Sequence, residues 1–193
     1  MIKPPFLQNS LMLAPLIGAT GSLVTAVGVW LMFMAVTSAF GLSMNALRPR
    51  LLSASHLLAS VLIAATLTSC AELGAQAWSL QWHQQMGVYA GLIAVQCVLL
   101  EHSGYFQSSL ADRLRLCGVF GALMAGLGLL RELIGYGTIA RHMPWLAGTA
   151  QADWQGWALS ADGGVRLATL APGGFILLGM LVAGWQIWHR PAP

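Results

Sequence analysis

Between Lys3 and Arg48 lie 44 residues without one charged side chain. A helix crossing a hydrocarbon core of about 30 Å needs about 20 apolar residues, so the stretch is too long for one crossing and too apolar for water. It has to double back inside a bilayer, and Pro15, Gly18 and Gly21 mark the break. Composition extends the same constraint to the whole chain. Only 8% of its 193 residues are Asp, Glu, Lys or Arg, against roughly 25% in a soluble domain, while 57% are hydrophobic. That leaves too little polar surface to cover a soluble globule. Nine scattered basic residues make no nucleic-acid footprint.

Mapping the remaining charges divides the chain into six segments: a short one over about 7–20, a full helix over about 23–47 and a third over about 55–77. After a Trp- and Gln-rich polar interval (78–85) come a short fourth segment over about 86–101 and helices over about 114–136 and 167–188. A cleaved signal peptide is not expected, because its apolar core spans roughly 7 to 15 residues and here apolarity continues to Leu47. Each half is one short segment followed by two long helices, 7–77 and 86–188, and an odd number of crossings per half makes the halves inverted. The expected fold class is an all-α integral membrane protein, one membrane domain over 1–193 with six transmembrane segments in two inverted three-helix repeats, short at segments 1 and 4. The interval 137–166, with Trp145, Trp154 and Trp157, is expected to be an extramembrane loop held at the interface by its indoles. Lys3, Arg48, Arg50, Arg113, Arg115 and Arg190 fall on one side, against Arg141 and Arg166 on the other, which predicts cytoplasmic termini.

Ionisable groups at membrane depth are costly and mark function or internal pairing. Arg131 and Glu132 point about 100° apart on a helix and each needs its own partner. Glu72 and Glu101 lie near helix ends, where a solvated carboxylate is expected. Asp112 stands at a helix start, a position that favours a carboxylate electrostatically. His83, His102, His142 and His189 lie at or beyond segment ends without the i, i+4 spacing of a helical metal site. Cys70 and Cys117 fit as small core residues, whereas Cys97 lies in a short segment. No Walker motif, catalytic triad or glycine-rich phosphate loop occurs, so no soluble-substrate site is expected.

Specific strings go further. Gly128-Leu129-Leu130-Arg131-Glu132-Leu133-Ile134-Gly135-Tyr136-Gly137-Thr138 is similar to a family stretch LREIIGxGT, Leu170-Ala171-Pro172-Gly173-Gly174-Phe175-Ile176 to LPPGAFI, and Ser109-Leu110-Ala111-Asp112 to SALD. These strings resemble the family that contains the E-type subunit of the Rnf electron-transport complex and the D-type subunit of the sodium-pumping NADH:quinone reductase. The resemblance implies a bacterial inner-membrane protein, multi-pass with both termini cytoplasmic, beside an inverted sister of the A type. Further D- and G-type subunits and peripheral B- and C-type subunits would complete the assembly, in membrane lipid and without nucleic acid. It implies coupling of electron transfer between ferredoxin and NAD to Na+ or H+ translocation, with this chain a conduit and scaffold that is not catalytic alone. The rival from another class is a stand-alone small transporter or scaffold without redox chemistry.

The resemblance also implies a [2Fe-2S] cluster shared with the A-type sister, two cysteines from each. Cys97 matches the second family ligand in a string like VTNCIVVGRAEAF. At the first, where the family reads LGLCPLLAVT, this chain has Ala14 followed by Pro15. A cluster with a substitute ligand, an empty site and another electron route all remain open. The family places an acid on the cation route at Asp112, and Glu132 is a second candidate.

Overall fold

The structure, a computed structural model, describes residues 20–51, 55–140, 156–158, 164 and 170–188. Helix α1 spans Leu23–Leu47. Ser22 Oγ accepts from the Thr25 N–H at 3.2 Å while Thr25 Oγ1 accepts from the Ser22 N–H at 2.9 Å. This reciprocal cap satisfies two amides where water is scarce. A 3₁₀ turn, Arg48–Arg50, carries Pro49 and ends the helix. Helix α2 spans His56–Trp78, and Ser79 alone separates it from α3, Leu80–His102. The chain leaves α3 through Gly104, whose φ of 74° avoids a Cβ clash, into a second 3₁₀ turn, Tyr105–Gln107.

Ser109 caps α4, Leu110–Tyr136, accepting from the Asp112 N–H at 3.2 Å and donating to Asp112 Oδ2 at 2.7 Å. Residues Thr138–Ile139 (β1) and Trp157–Ala158 (β2) pair as an antiparallel ribbon. Helix α5 spans Ala171–Trp188. Among the described residues, three helices are long and apolar enough to cross a membrane: α1 with its 3₁₀ turn, α2 and α4.

The expected all-α membrane architecture is observed, and the 23–47 boundary of α1 is reproduced. The fourth apolar segment lies within a longer helix, because the Trp- and Gln-rich interval is already helical from Leu80. No proline or glycine lies between Leu80 and Met86, and a helix satisfies its own backbone whatever its side chains. The stretch from Tyr89 to His102 is apolar. Helix α4 likewise begins one turn earlier than the charges at Asp112 and Arg113 suggest, because Ser109 caps it. The first segment (7–20) falls almost entirely outside the described residues, as does most of the loop 137–166.

Helix α1 packs on α2, α3 and α4, and α5 packs on α4. The shared core includes Phe33, Phe40, Met44, Ile93, Cys97 and Phe120. Phe33 meets Phe120 edge-on at 5.5 Å between ring centres. Two glycines bring α1 and α4 together: a Cβ on Gly121 would lie 2.4 Å from the Trp30 indole, and one on Gly128 would lie 2.9 Å from the Ser22 carbonyl oxygen. Small residues at such crossings allow backbones to approach closely. Trp30 Nε1 donates to the Cys117 carbonyl at 3.1 Å, so the ring is fixed and cannot yield. Gly121→Ala is therefore expected to destabilise the protein by about 1–3 kcal/mol, read as a lower melting midpoint in detergent. An unchanged midpoint would show that the indole repacks freely.

Helix α2 is the least enclosed of the three spanning helices. Leu57, Leu58, Val61, Leu62 and Leu73 are exposed along it. Cys70 is exposed on the same helix, so it is not the core residue expected, whereas Cys117 is buried as expected. In a bilayer an apolar outer face carries no hydrophobic cost.

Candidate functional site

Among the described residues, buried polar side chains gather at both ends of α1 and around Cys97. At the start of α1, Glu132 of α4 is wholly buried and its Oε2 accepts from the Leu23 N–H at 3.0 Å. A carboxylate there meets both an otherwise unbonded amide and the positive end of the helix dipole. Arg131, 1% exposed, turns to other partners: Nη1 donates to Thr20 Oγ1 at 3.1 Å and Nη2 to the Leu170 carbonyl at 3.0 Å. A Cβ on Gly174 would come within 3.1 Å of Arg131 Nη1, so Gly174 leaves room for the guanidinium. The two strings Arg131-Glu132 and Pro172-Gly173-Gly174 are thus halves of one contact that clamps the starts of α1 and α5 to α4. The adjacent Arg and Glu find separate partners, as their 100° divergence requires.

In the middle of the bundle, Cys97 on α3 is wholly buried, and its Sγ lies 3.9 Å from Thr37 Oγ1 of α1. Nearby, Tyr105 Oη and Cys117 Sγ are 3.0 Å apart. Burial, and next that hydrogen bond, hold the Tyr105 phenol above its ordinary range.

At the far end of α1, Glu101 contradicts the expectation of a solvated carboxylate. Its side chain is 5% exposed; Arg48 Nη2 donates to Oε1 at 2.6 Å, and His56 Nε2 lies 3.5 Å from the same oxygen. Oε2 is buried with no hydrogen-bond partner among the described residues. The triad joins the ends of α1, α2 and α3. Sequence reasoning passes over His56, and residues 53 apart carry no local signal that they meet.

Asp112 is exposed and bonded to Ser109, which gives it a capping role. It does not meet Glu132: the two lie twenty residues apart on one helix, about 30 Å. Ala14, the other candidate ligand position, and His142 and His189 lie outside the described residues. His83 lies in the first turn of α3 and His102 at its last residue. Among the described residues no three His, Cys, Asp or Glu side chains converge as a metal site.

A family model described as "Rnf-Nqr subunit, membrane protein" matches residues 1–182. The chain is similar to a Pseudomonas aeruginosa (strain LESB58) protein named as the E-type subunit of an ion-translocating oxidoreductase complex, 37% identical over 188 residues, covering 93% of this chain and 78% of the relative. A protein of the same name from Cellvibrio japonicus is 30% identical over 186 residues, with 93% and 78% covered. One from Shewanella amazonensis is 29% identical over 189 residues, with 95% and 82% covered.

Proposed function

Because the chain belongs to the Rnf-Nqr family of membrane subunits, we propose that it is the E-type membrane subunit of an ion-translocating oxidoreductase complex. The carrying observation is 37% identity over 188 residues to a protein of that name. The finer reading follows from the resemblance in the strings around Asp112, Arg131 and Gly173. Electron transfer between ferredoxin and NAD drives Na+ or H+ across the bacterial inner membrane, and this chain sits against an inverted A-type sister, with the D-, G-, B- and C-type subunits completing the complex. The six-to-two distribution of Lys and Arg supports cytoplasmic termini.

The cofactor demands a test against the donor set. A [2Fe-2S] cluster takes four sulfur ligands in its common form, and a half-share asks this chain for two. Cys97 supplies one thiol, buried in the core beside Thr37. The matching position carries the methyl of Ala14, which cannot bind iron. The residues do not fit a two-thiolate half-site. The contribution proposed for this chain is accordingly a scaffold: Glu132 and Arg131 hold the starts of α1 and α5, Glu101 holds the opposite ends, and the apolar face of α2 is presented to neighbouring subunits or lipid.

Affinity purification of the tagged chain from its native membrane tests this reading. Recovery with other redox subunits of the complex is expected. Recovery alone, as a monodisperse particle of undiminished melting temperature, would favour the stand-alone transporter. In the same preparation Ala14→Cys should add iron and an electron paramagnetic resonance signal on reduction, and Cys97→Ala in that background should remove both. No gain of iron would mean that position 14 does not face the cluster site.

A further inference from the structure

A cavity of about 430 Å³ opens between the C-terminal half of α1, the Tyr105–Gln107 turn and the first turns of α4. Its lining divides by chemistry. Arg48, Arg113 and Asn45 supply polar groups, while Leu42, Leu110 and Leu114 supply an apolar wall. These leucines are 74%, 65% and 58% exposed, so the cavity opens sideways onto what surrounds the helices rather than closing on itself. Arg113 Nε is buried with no hydrogen-bond partner among the described residues, an unfavourable state for a cationic donor unless an acceptor enters. Arg48 is fixed at the cavity by its 2.6 Å bond to Glu101, which occupies Nη2. The surrounding charge is also positive: Arg48, Arg50, Arg113 and Arg115 face two carboxylates, Glu101 and Asp112, and both of those have local partners, Arg48 and Ser109.

We infer that this cavity binds an anionic phospholipid, with Arg113 and Arg48 donating to its phosphate oxygens and one acyl chain lying along Leu42, Leu110 and Leu114. Guanidinium groups suit phosphate because their planar N–H forks match its oxygens, and basic pockets at helix ends facing an anionic leaflet are where such headgroups concentrate. The leucine wall decides between sources of phosphate. A soluble anion needs only the two cations, whereas a chain-bearing phosphate also uses the three exposed leucines beside them. The inference goes beyond the electron-transfer reading and does not depend on it.

The test uses the purified complex, stripped of lipid in detergent and reloaded with phosphatidylglycerol, with retained lipid counted by native mass spectrometry. Arg113→Gln should lower retention about tenfold or more, the loss of a charge-assisted hydrogen bond. Arg115→Gln, which removes the same charge from an exposed position on the same helix, should lower it about fivefold or less, as for surface attraction alone. Asn45→Asp, at an exposed residue of the cavity lining, adds repulsion with little risk to folding and should act like Arg113→Gln. It therefore decides the matter if the arginine variant fails to assemble. Equal losses in Arg113→Gln and Arg115→Gln would overturn the site in favour of diffuse charge. Equal retention of phosphatidylcholine, which carries the same phosphodiester beneath a cationic choline, would show that the site does not select an anionic lipid, and displacement by millimolar inorganic phosphate would make it a soluble-anion site; each overturns the proposal.

Discussion

Arg131→Met is expected to lower the stability of the complex by about 3–5 kcal/mol, the sum of two charge-assisted hydrogen bonds lost from a buried site. For a chain of this size that corresponds to a fall of roughly 10 °C in melting midpoint. Methionine keeps the length and apolar stem of arginine, so cavity formation adds little, and the loss reports the guanidinium itself. The bonds at stake join α4 to Thr20 before α1 and to Leu170 before α5, so both neighbouring helices loosen together. Arg131→Lys should recover only part of the loss, because a single ammonium cannot span two acceptors in the fixed fork of a guanidinium. Glu132→Gln should be mild, since its amide oxygen still accepts from the Leu23 N–H, whereas Glu132→Ala leaves that amide without an acceptor. Thermal unfolding of the detergent-solubilised complex measures all four variants. A midpoint for Arg131→Met close to that of the parent would show that the clamp is not structural.

The second large effect lies at the other end of the bundle. Arg48→Met leaves Glu101 buried with Oε2 already unpartnered among the described residues and Oε1 only 3.5 Å from His56. Breaking a buried pair costs about 3–5 kcal/mol. Arg48 is itself 32% exposed, and solvent screening brings the expectation to about 2–3 kcal/mol. The double substitution Arg48→Met with Glu101→Leu should be far less damaging than the sum of the singles, because removing both charges also removes the desolvation cost of the carboxylate. A double-mutant cycle measured by thermal unfolding gives the coupling. Strict additivity would mean that the 2.6 Å contact contributes nothing to stability.

What the sequence can reveal divides along the distance between interacting residues. The start and end of α1 are legible because Gly21, Pro49 and the absence of charge act within one turn of the boundary. The separation of Arg131 from Glu132 is legible for the same reason, since helical geometry alone sends them apart. Polarity misleads at α3 and α4. Gln84, Gln85 and Asp112 bound the apolar spans, yet a polar side chain does not end a helix in the absence of a breaker, and Ser109 supplies a cap one turn earlier. Glu101 is out of reach because its partners come from the end of α1 and the start of α2, and its burial follows from their convergence. Cys97 is legible as a thiol of interest in an apolar segment; that Thr37, sixty residues away, stands beside it requires the packing of α1 on α3.

The clamp at the start of α1 also has a timetable. Glu132 reaches Leu23 across 109 residues, and Arg131 reaches Thr20 across 111. A ribosome adding about 5–20 residues per second makes the second half of this contact on the order of ten seconds after the first. The Ser22–Thr25 cap is local and forms at once, but the Leu23 amide waits, with its carboxylate not yet synthesised. During that interval water at the membrane surface, or the machinery that inserts the chain, has to stand in for Glu132. Helix α1 is therefore the earliest of the described helices to be synthesised and among the last to be fastened, and a nascent chain halted before Arg131 carries a first helix whose leading end is still undone.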